Sequence, residues 1–141
     1  MKEVRILDKD FELFIDADTI QASIKGIAAD INRDLEGEKP IFIAILNGSF
    51  MFAGDLMKHV TIPCEITFVR IASYRGMKST EDVKEILGLR EDIKDRTVVI
   101  LEDIVDTGFT LEMLLNQFKE YEPKKIKVAT LLFKPKALKR D

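Results

Sequence analysis

Apolar and polar positions along this chain switch repeatedly between two periods. After Pro40 the run IFIAIL, residues 41–46, is apolar throughout, the pattern of a strand buried on both faces. CEITFVRIA (64–72), TVVIL (97–101) and IKVATLLF (126–133) read as further strands, rich in β-branched residues. Between them the spacing lengthens to that of helices. Ile20, Ile24, Ile27, Ala28 and Ile31 recur on one face of a helix over about 18–35. A short helix is predicted over 50–58, and Leu111, Leu114, Leu115 and Phe118 mark another from Thr110 to Tyr121.

Strands alternating with helices predict an α/β domain with a mostly parallel central sheet flanked by helices. Ligands of such sheets bind outside the carboxyl ends of the strands. That rule gathers Leu46 to Ser49, Ser73 and Tyr74, Glu102 to Thr110, and Lys134 on one rim. After Tyr74, RGMKSTED carries no apolar period, and a short strand is expected in KEILGL beyond it. The segment reads either as a solvated hairpin or as a lid that gates the rim. With no internal repeat and no linker, residues 1–141 read as a single domain.

Composition narrows the class of partner. The chain has 141 residues, 46% of them apolar and 33% charged, enough for a core without staples. A net charge of -3 gives no overall attraction to nucleic acid or anionic lipid, which favours small molecules as partners. Cys64 is the sole cysteine, so neither an intramolecular disulfide nor a cysteine zinc cluster is expected. The N-terminal MKEVRILDKDFELF interrupts its apolar residues with charges, unlike a signal peptide, and no run approaches the roughly 18 apolar residues of a membrane span. A cytoplasmic location follows as the expectation.

The candidate chemistry lies in VVILEDIVDTGFT, residues 98–110. Neither GxxxxGK[ST] nor a GxGxxG after a strand is present, so the common nucleotide loops are excluded. Asp106, Thr107, Gly108, Phe109 and Thr110 can still wrap a phosphate with successive backbone N–H groups and two hydroxyls at a helix start. Glu102 and Asp103 would repel that phosphate unless they face its neighbour, a ribose, whose hydroxyls donate to carboxylates. A divalent cation shared with those hydroxyls would neutralise the pair, and magnesium suits an oxygen-only site.

This arrangement of strand, Glu-Asp, two apolar residues, Asp-Thr-Gly-x-Thr and helix resembles the phosphoribosyl-pyrophosphate signature of type I phosphoribosyltransferases. Its spelling, Glu-Asp-Ile-Val-Asp-Thr-Gly, is similar to that of the hypoxanthine-guanine phosphoribosyltransferases. ILNGSF (45–50) resembles the family's pyrophosphate loop, ASYRG (72–76) the start of its flexible catalytic loop, and Lys134 in LLFKPK its purine-reading lysine. The resemblance therefore extends over nearly the whole chain.

The resemblance implies the type I phosphoribosyltransferase fold and a role for each matched residue. Asp106 to Thr110 hold the 5′-phosphate, while Glu102 and Asp103 hold the ribose hydroxyls and assist Mg2+. Asp106 also accepts the proton from the purine's imidazole ring as the glycosidic bond forms. Leu46, Asn47 and Gly48 bind pyrophosphate through the backbone, with a cis peptide expected between Leu46 and Asn47. Many family members carry lysine at the position of Asn47; the backbone contact survives that difference and the lysine charge does not. Ser73 and Tyr74 belong to a mobile lid over 73–83, Lys134 donates to the purine's 6-oxo group, and Ile104 packs on the base. His59, the sole histidine, is given no role.

The implied activity is purine salvage: hypoxanthine or guanine plus phosphoribosyl pyrophosphate gives IMP or GMP plus pyrophosphate. A sister enzyme using xanthine or a pyrimidine is the first alternative. A nucleotide- and RNA-binding regulator on the same fold is the second, and it would need a basic face where the chain offers only the Lys134, Lys136, Lys139, Arg140 cluster. No nucleic acid or membrane partner is expected, and the resemblance implies a homo-oligomer, a dimer or tetramer. Family members normally continue past the position of Asp141 with an aromatic residue that stacks on the purine, groups that read its edge, and an acidic residue for a second magnesium. The expectation is thus a C-terminally incomplete fold that binds phosphoribosyl pyrophosphate but transfers poorly.

Overall fold

The computed structural model describes residues 3–6, 9–12, 17–75, 82–105 and 109–133, with side chains over 17–72, 86–103 and 111–131. The elements run β1 (Glu3–Ile6), β2 (Lys9–Glu12), α1 (Ala17–Asp34), β3 (Ile41–Leu46), α2 (Phe50–Met57) and β4 (Glu65–Arg75). Then come β5 (Asp82–Leu87), β6 (Thr97–Val105), α3 (Phe109–Lys119) and β7 (Lys125–Phe133). A five-stranded sheet has the order β5-β4-β3-β6-β7, parallel except for the antiparallel edge strand β5. This is the mostly parallel α/β architecture that the periodicity predicts. Strands β1 and β2 form a separate antiparallel hairpin outside the elements that the periodicity predicts.

β3 is central and buried on both faces, which is why its sequence does not alternate. Phe42 and Ala44 face a layer built with Ile24, Ala28 and Ile31 of α1 and Phe52, Ala53 and Leu56 of α2. Ile41, Ile43 and Ile45 face the other way, toward Leu114 and Phe118 of α3 and Ile93 from the β5–β6 connection. One strand thus joins two cores.

Helix α1 forms on the stripe that the sequence shows, with Asp18 in its first turn and Arg33 in its last, both favourable to the helix dipole. Gly37, at φ 82°, reverses the chain just beyond the helix, a conformation that side chains with a Cβ resist. Crossovers between parallel strands are right-handed. Since β4 lies on one side of β3 and β7 on the opposite side of β6, α2 and α3 must cover opposite faces, as the two core clusters show. Among the described residues no helix is long and apolar enough to cross a membrane.

Candidate functional site

The place where neighbouring parallel strands send their chains in opposite directions opens a crevice for ligands. Here that point falls between β3 and β6, whose following segments lead to α2 and α3 respectively. Register puts their carboxyl ends side by side, with Ala44 opposite Leu101, and β7 continues the row with Thr130 opposite Glu102 and Phe133 opposite Val105. The candidate residues of β3 and β6 therefore share one rim.

After β3 the peptide joining Leu46 to Asn47 is cis, as the resemblance implies. The turn that follows is pinned by its own hydrogen bonds. Ser49 is completely buried, and both its hydroxyl and its N–H donate to the Ile45 carbonyl. The Phe50 N–H donates to the Asn47 carbonyl at 3.3 Å and that of Ala53 to the Ser49 carbonyl at 2.8 Å, which starts α2. Ser49 thus anchors the turn, a role that only the fold discloses. Asn47 and Gly48 stand at the surface.

Near the end of β6, Glu102 and Asp103 are half-buried, and the Glu102 carboxyl, when protonated, donates to the Asp103 carboxylate. Burial, reinforced by the hydrogen bond and negative charge of Asp103, pushes the Glu102 carboxyl up to about 7. The pair lies against the turn after β3, because Gly48 packs on the Asp103 carboxylate. Such a pair fits a hard cation with oxygen ligands. Among the described residues Glu102 and Asp103 are the adjacent carboxylates at this rim, and no group of three His, Cys, Asp or Glu gathers there.

The other candidates divide in two. Ser73 and Tyr74 lie in β4, where Ser73 pairs with Lys84 and Tyr74 with Val83, so the backbone on either side of the expected lid tip is an antiparallel hairpin. Ile104 lies in β6 opposite Leu132, and Phe109 and Thr110 open α3. Asp106, Thr107, Gly108 and Lys134 lie outside the described residues, as does the 76–81 tip.

Two cavities among the described residues lie away from this rim. A cavity of about 300 Å³ lies between α1 and β7, bordered by Ile27, Ile31 and Ala129, and one of about 440 Å³ lies at the opposite, amino-terminal ends of the strands, beside Glu38, Arg96 and Lys124. In the second, Glu38 receives Lys125 at 2.8 Å, Lys124 at 3.5 Å and the Thr97 hydroxyl at 3.2 Å, a network that ties the α1–β3 connection to β6 and β7. We place the site by chemistry and strand polarity instead.

The raised Glu102 carboxyl carries a stability cost whose sign is fixed. Between the ordinary value of 4.5 and about 7, the folded chain holds a proton that the unfolded chain has released. Stability must therefore fall as pH rises through that window. Glu102→Gln keeps the shape of the protonated acid and never ionises. In metal-free buffer it should melt near wild type at pH 5 and above wild type at pH 8. An unchanged or lower melting temperature at pH 8 would show that the charge is not penalised.

Comparison with known proteins bears on the same stretches. Residues 16–141 match the phosphoribosyl transferase domain family. The chain is 38% identical over 132 residues to the hypoxanthine-guanine phosphoribosyltransferase of Streptococcus pneumoniae, covering 92% of this chain and 73% of that protein. It is 34% identical over 131 residues to the hypoxanthine-guanine-xanthine phosphoribosyltransferase of Tritrichomonas foetus, covering 93% and 72% of the two. In three dimensions it is similar to a hypoxanthine-guanine phosphoribosyltransferase of Bacillus anthracis, with a TM-score of 0.80 at 36% identity over 91% of this chain and 74% of that one.

Proposed function

Because the chain belongs to the phosphoribosyl transferase family, we propose that it is a purine salvage transferase, forming IMP or GMP and pyrophosphate from hypoxanthine or guanine and 5-phosphoribosyl 1-pyrophosphate. The juxtaposition of the turn at Asn47 and Gly48 with the Glu102–Asp103 pair carries this reading, since a ribose bearing a diphosphate must span two such neighbours. Residues 1–141 act as one domain.

Each residue's task follows from its chemistry. The backbone of Leu46, Asn47 and Gly48 receives the diphosphate, and Glu102 and Asp103 accept hydrogen bonds from the ribose hydroxyls. Asp106 to Thr110 hold the 5′-phosphate at the start of α3, where the N–H groups of a helix start favour an anion. As the bond from ribose C1′ to pyrophosphate breaks and the bond to the purine ring nitrogen forms, Asp106 takes the proton that the ring loses. Lys134 donates to the 6-oxo group and meets only another donor at a 6-amino group, which excludes adenine. Ile104 lines the base.

Glu102 and Asp103 are also the residues that would hold Mg2+, whose contribution is to offset the charge of the diphosphate and of the pair itself. Water must stay out, because it would capture the cationic sugar of the transition state. The hairpin that carries Ser73 and Tyr74 supplies that exclusion by closing over the rim. The protein works in the cytoplasm as a homo-oligomer. Phe50 and Met51, 60% and 66% exposed on a helix with a single charge in eight residues, support self-association, which sedimentation of the chain would read directly.

Hydrogen exchange tests this assignment as a whole. With phosphoribosyl pyrophosphate and magnesium together, exchange should slow at 46–49 and 102–110, and also at 73–83. Protection confined to other segments would remove the site from this rim. Protection of the first two segments without the third would remove the lid.

A further inference from the structure

Gly48 is close to Asp103 in a way that no other described glycine is close to anything. A Cβ built on Gly48 would lie 2.8 Å from Asp103 Oδ2 and 3.1 Å from both Oδ1 and Cγ, tighter than ordinary carbon contacts allow. At Gly26, Gly37 and Gly54 nothing lies within 4 Å, and at Gly88 the nearest atom is at 3.5 Å. Nor does the backbone at 48 demand glycine: the positive-φ glycines among the described residues are Gly37 and Gly88. Alanine fits the conformation at 48 and fails only for space. That distinguishes close approach from turn geometry as the reason for the glycine.

When two groups collide, the more weakly held one moves. The turn is fixed at Ser49, buried, with two hydrogen bonds to the Ile45 carbonyl, and by the start of α2. Asp103 is half-buried and its carboxylate hangs on one methylene. A side chain at 48 would therefore turn the carboxylate away, and with it the hydrogen bond to Glu102.

We propose that Gly48 is a positioning residue for Asp103: by lacking a side chain it lets the turn after β3 rest on the carboxylate and hold it toward the ribose hydroxyls. The consequence is coupling. The diphosphate turn and the ribose-binding pair are one mechanical unit, so a change at 48 acts on ribose and cation binding as well as on the diphosphate. This role rests on the transferase reading above.

The test is a double-mutant cycle on Gly48→Ala and Asp103→Ala, read by calorimetric binding of phosphoribosyl pyrophosphate with magnesium and by thermal melting without ligand. Gly48→Ala alone should weaken binding roughly tenfold or more and raise the magnesium concentration needed for half-saturation. In the Asp103→Ala background, where the crowding oxygens are gone, the same change should cost less than about twofold. Additive losses would overturn the proposal. Should Gly48→Ala melt too low to assay, the added Asp103→Ala change must restore its melting temperature, and failure to do so also overturns it. Wild-type protein that binds no phosphoribosyl pyrophosphate would remove the ligand role together with the transferase reading, while the melting cycle would still decide whether the two residues meet.

Discussion

Asp106→Asn should lower turnover by about 100-fold or more while leaving the binding of phosphoribosyl pyrophosphate largely intact. The substitution keeps the shape and hydrogen-bonding size of the side chain and removes only its capacity to take a proton. If Asp106 receives the purine's ring proton as the new bond forms, its loss is felt in the transition state and not in the ground state. The missing negative charge beside the 5′-phosphate should even tighten substrate binding slightly. Single-turnover rates and calorimetry on the same preparation separate the two effects. Near-normal turnover would show that the proton leaves by another route, and equal loss of rate and affinity would make Asp106 a binding residue alone.

The second large effect belongs to Lys134. A hydrogen bond from a charged donor contributes about 1.5–3 kcal/mol, so Lys134→Met should reduce kcat/KM for a 6-oxopurine by roughly 10- to 100-fold. Methionine retains most of the apolar stem and deletes the ammonium. The loss should appear with hypoxanthine and guanine, and the KM for phosphoribosyl pyrophosphate should not move. Discrimination against adenine should narrow, because the clash between donors goes with the lysine. A uniform loss toward both substrates would indicate damage to β7 instead of loss of base recognition.

The sheet is legible in the sequence chiefly because its central strands are buried. IFIAIL matches β3 residue for residue, since a strand covered on both faces leaves no choice but a continuous apolar run. The stripe from Ile20 to Ile31 marks α1 for the complementary reason, a helix with one face on the core. Where the strand residues are polar the signal fades. β4 extends past Ala72 to Arg75 and pairs with β5, Asp82–Leu87, but the polar spelling from Ser73 to Asp82 carries no apolar period, so only the KEILGL end of that ladder is legible in the sequence. The β1–β2 hairpin, EVRI against KDFE, mixes charges into both strands and so shows no clean strand period.

For the site, local motifs were legible and contacts across the rim were not. Glu102 and Asp103 stand out as adjacent acids after an apolar strand, and the strand-end rule places them beside the turn at Asn47 and Gly48. Nothing local says that Glu102 is buried enough to hold a proton near neutral pH, because that depends on the packing of neighbouring strands and on Asp103. Nor can glycine in Asn47-Gly48-Ser49 be told from an ordinary turn glycine until the carboxylate 55 residues further on, at position 103, is seen against it.

One measurement bears most directly on the central claim: pyrophosphate released from phosphoribosyl pyrophosphate and magnesium when each base is supplied in turn to the chain. Hypoxanthine or guanine should give pyrophosphate together with an equal amount of the matching nucleoside monophosphate, and adenine should give none above background. Release with adenine or a pyrimidine but not with a 6-oxopurine, or no base-dependent release at all, would contradict it.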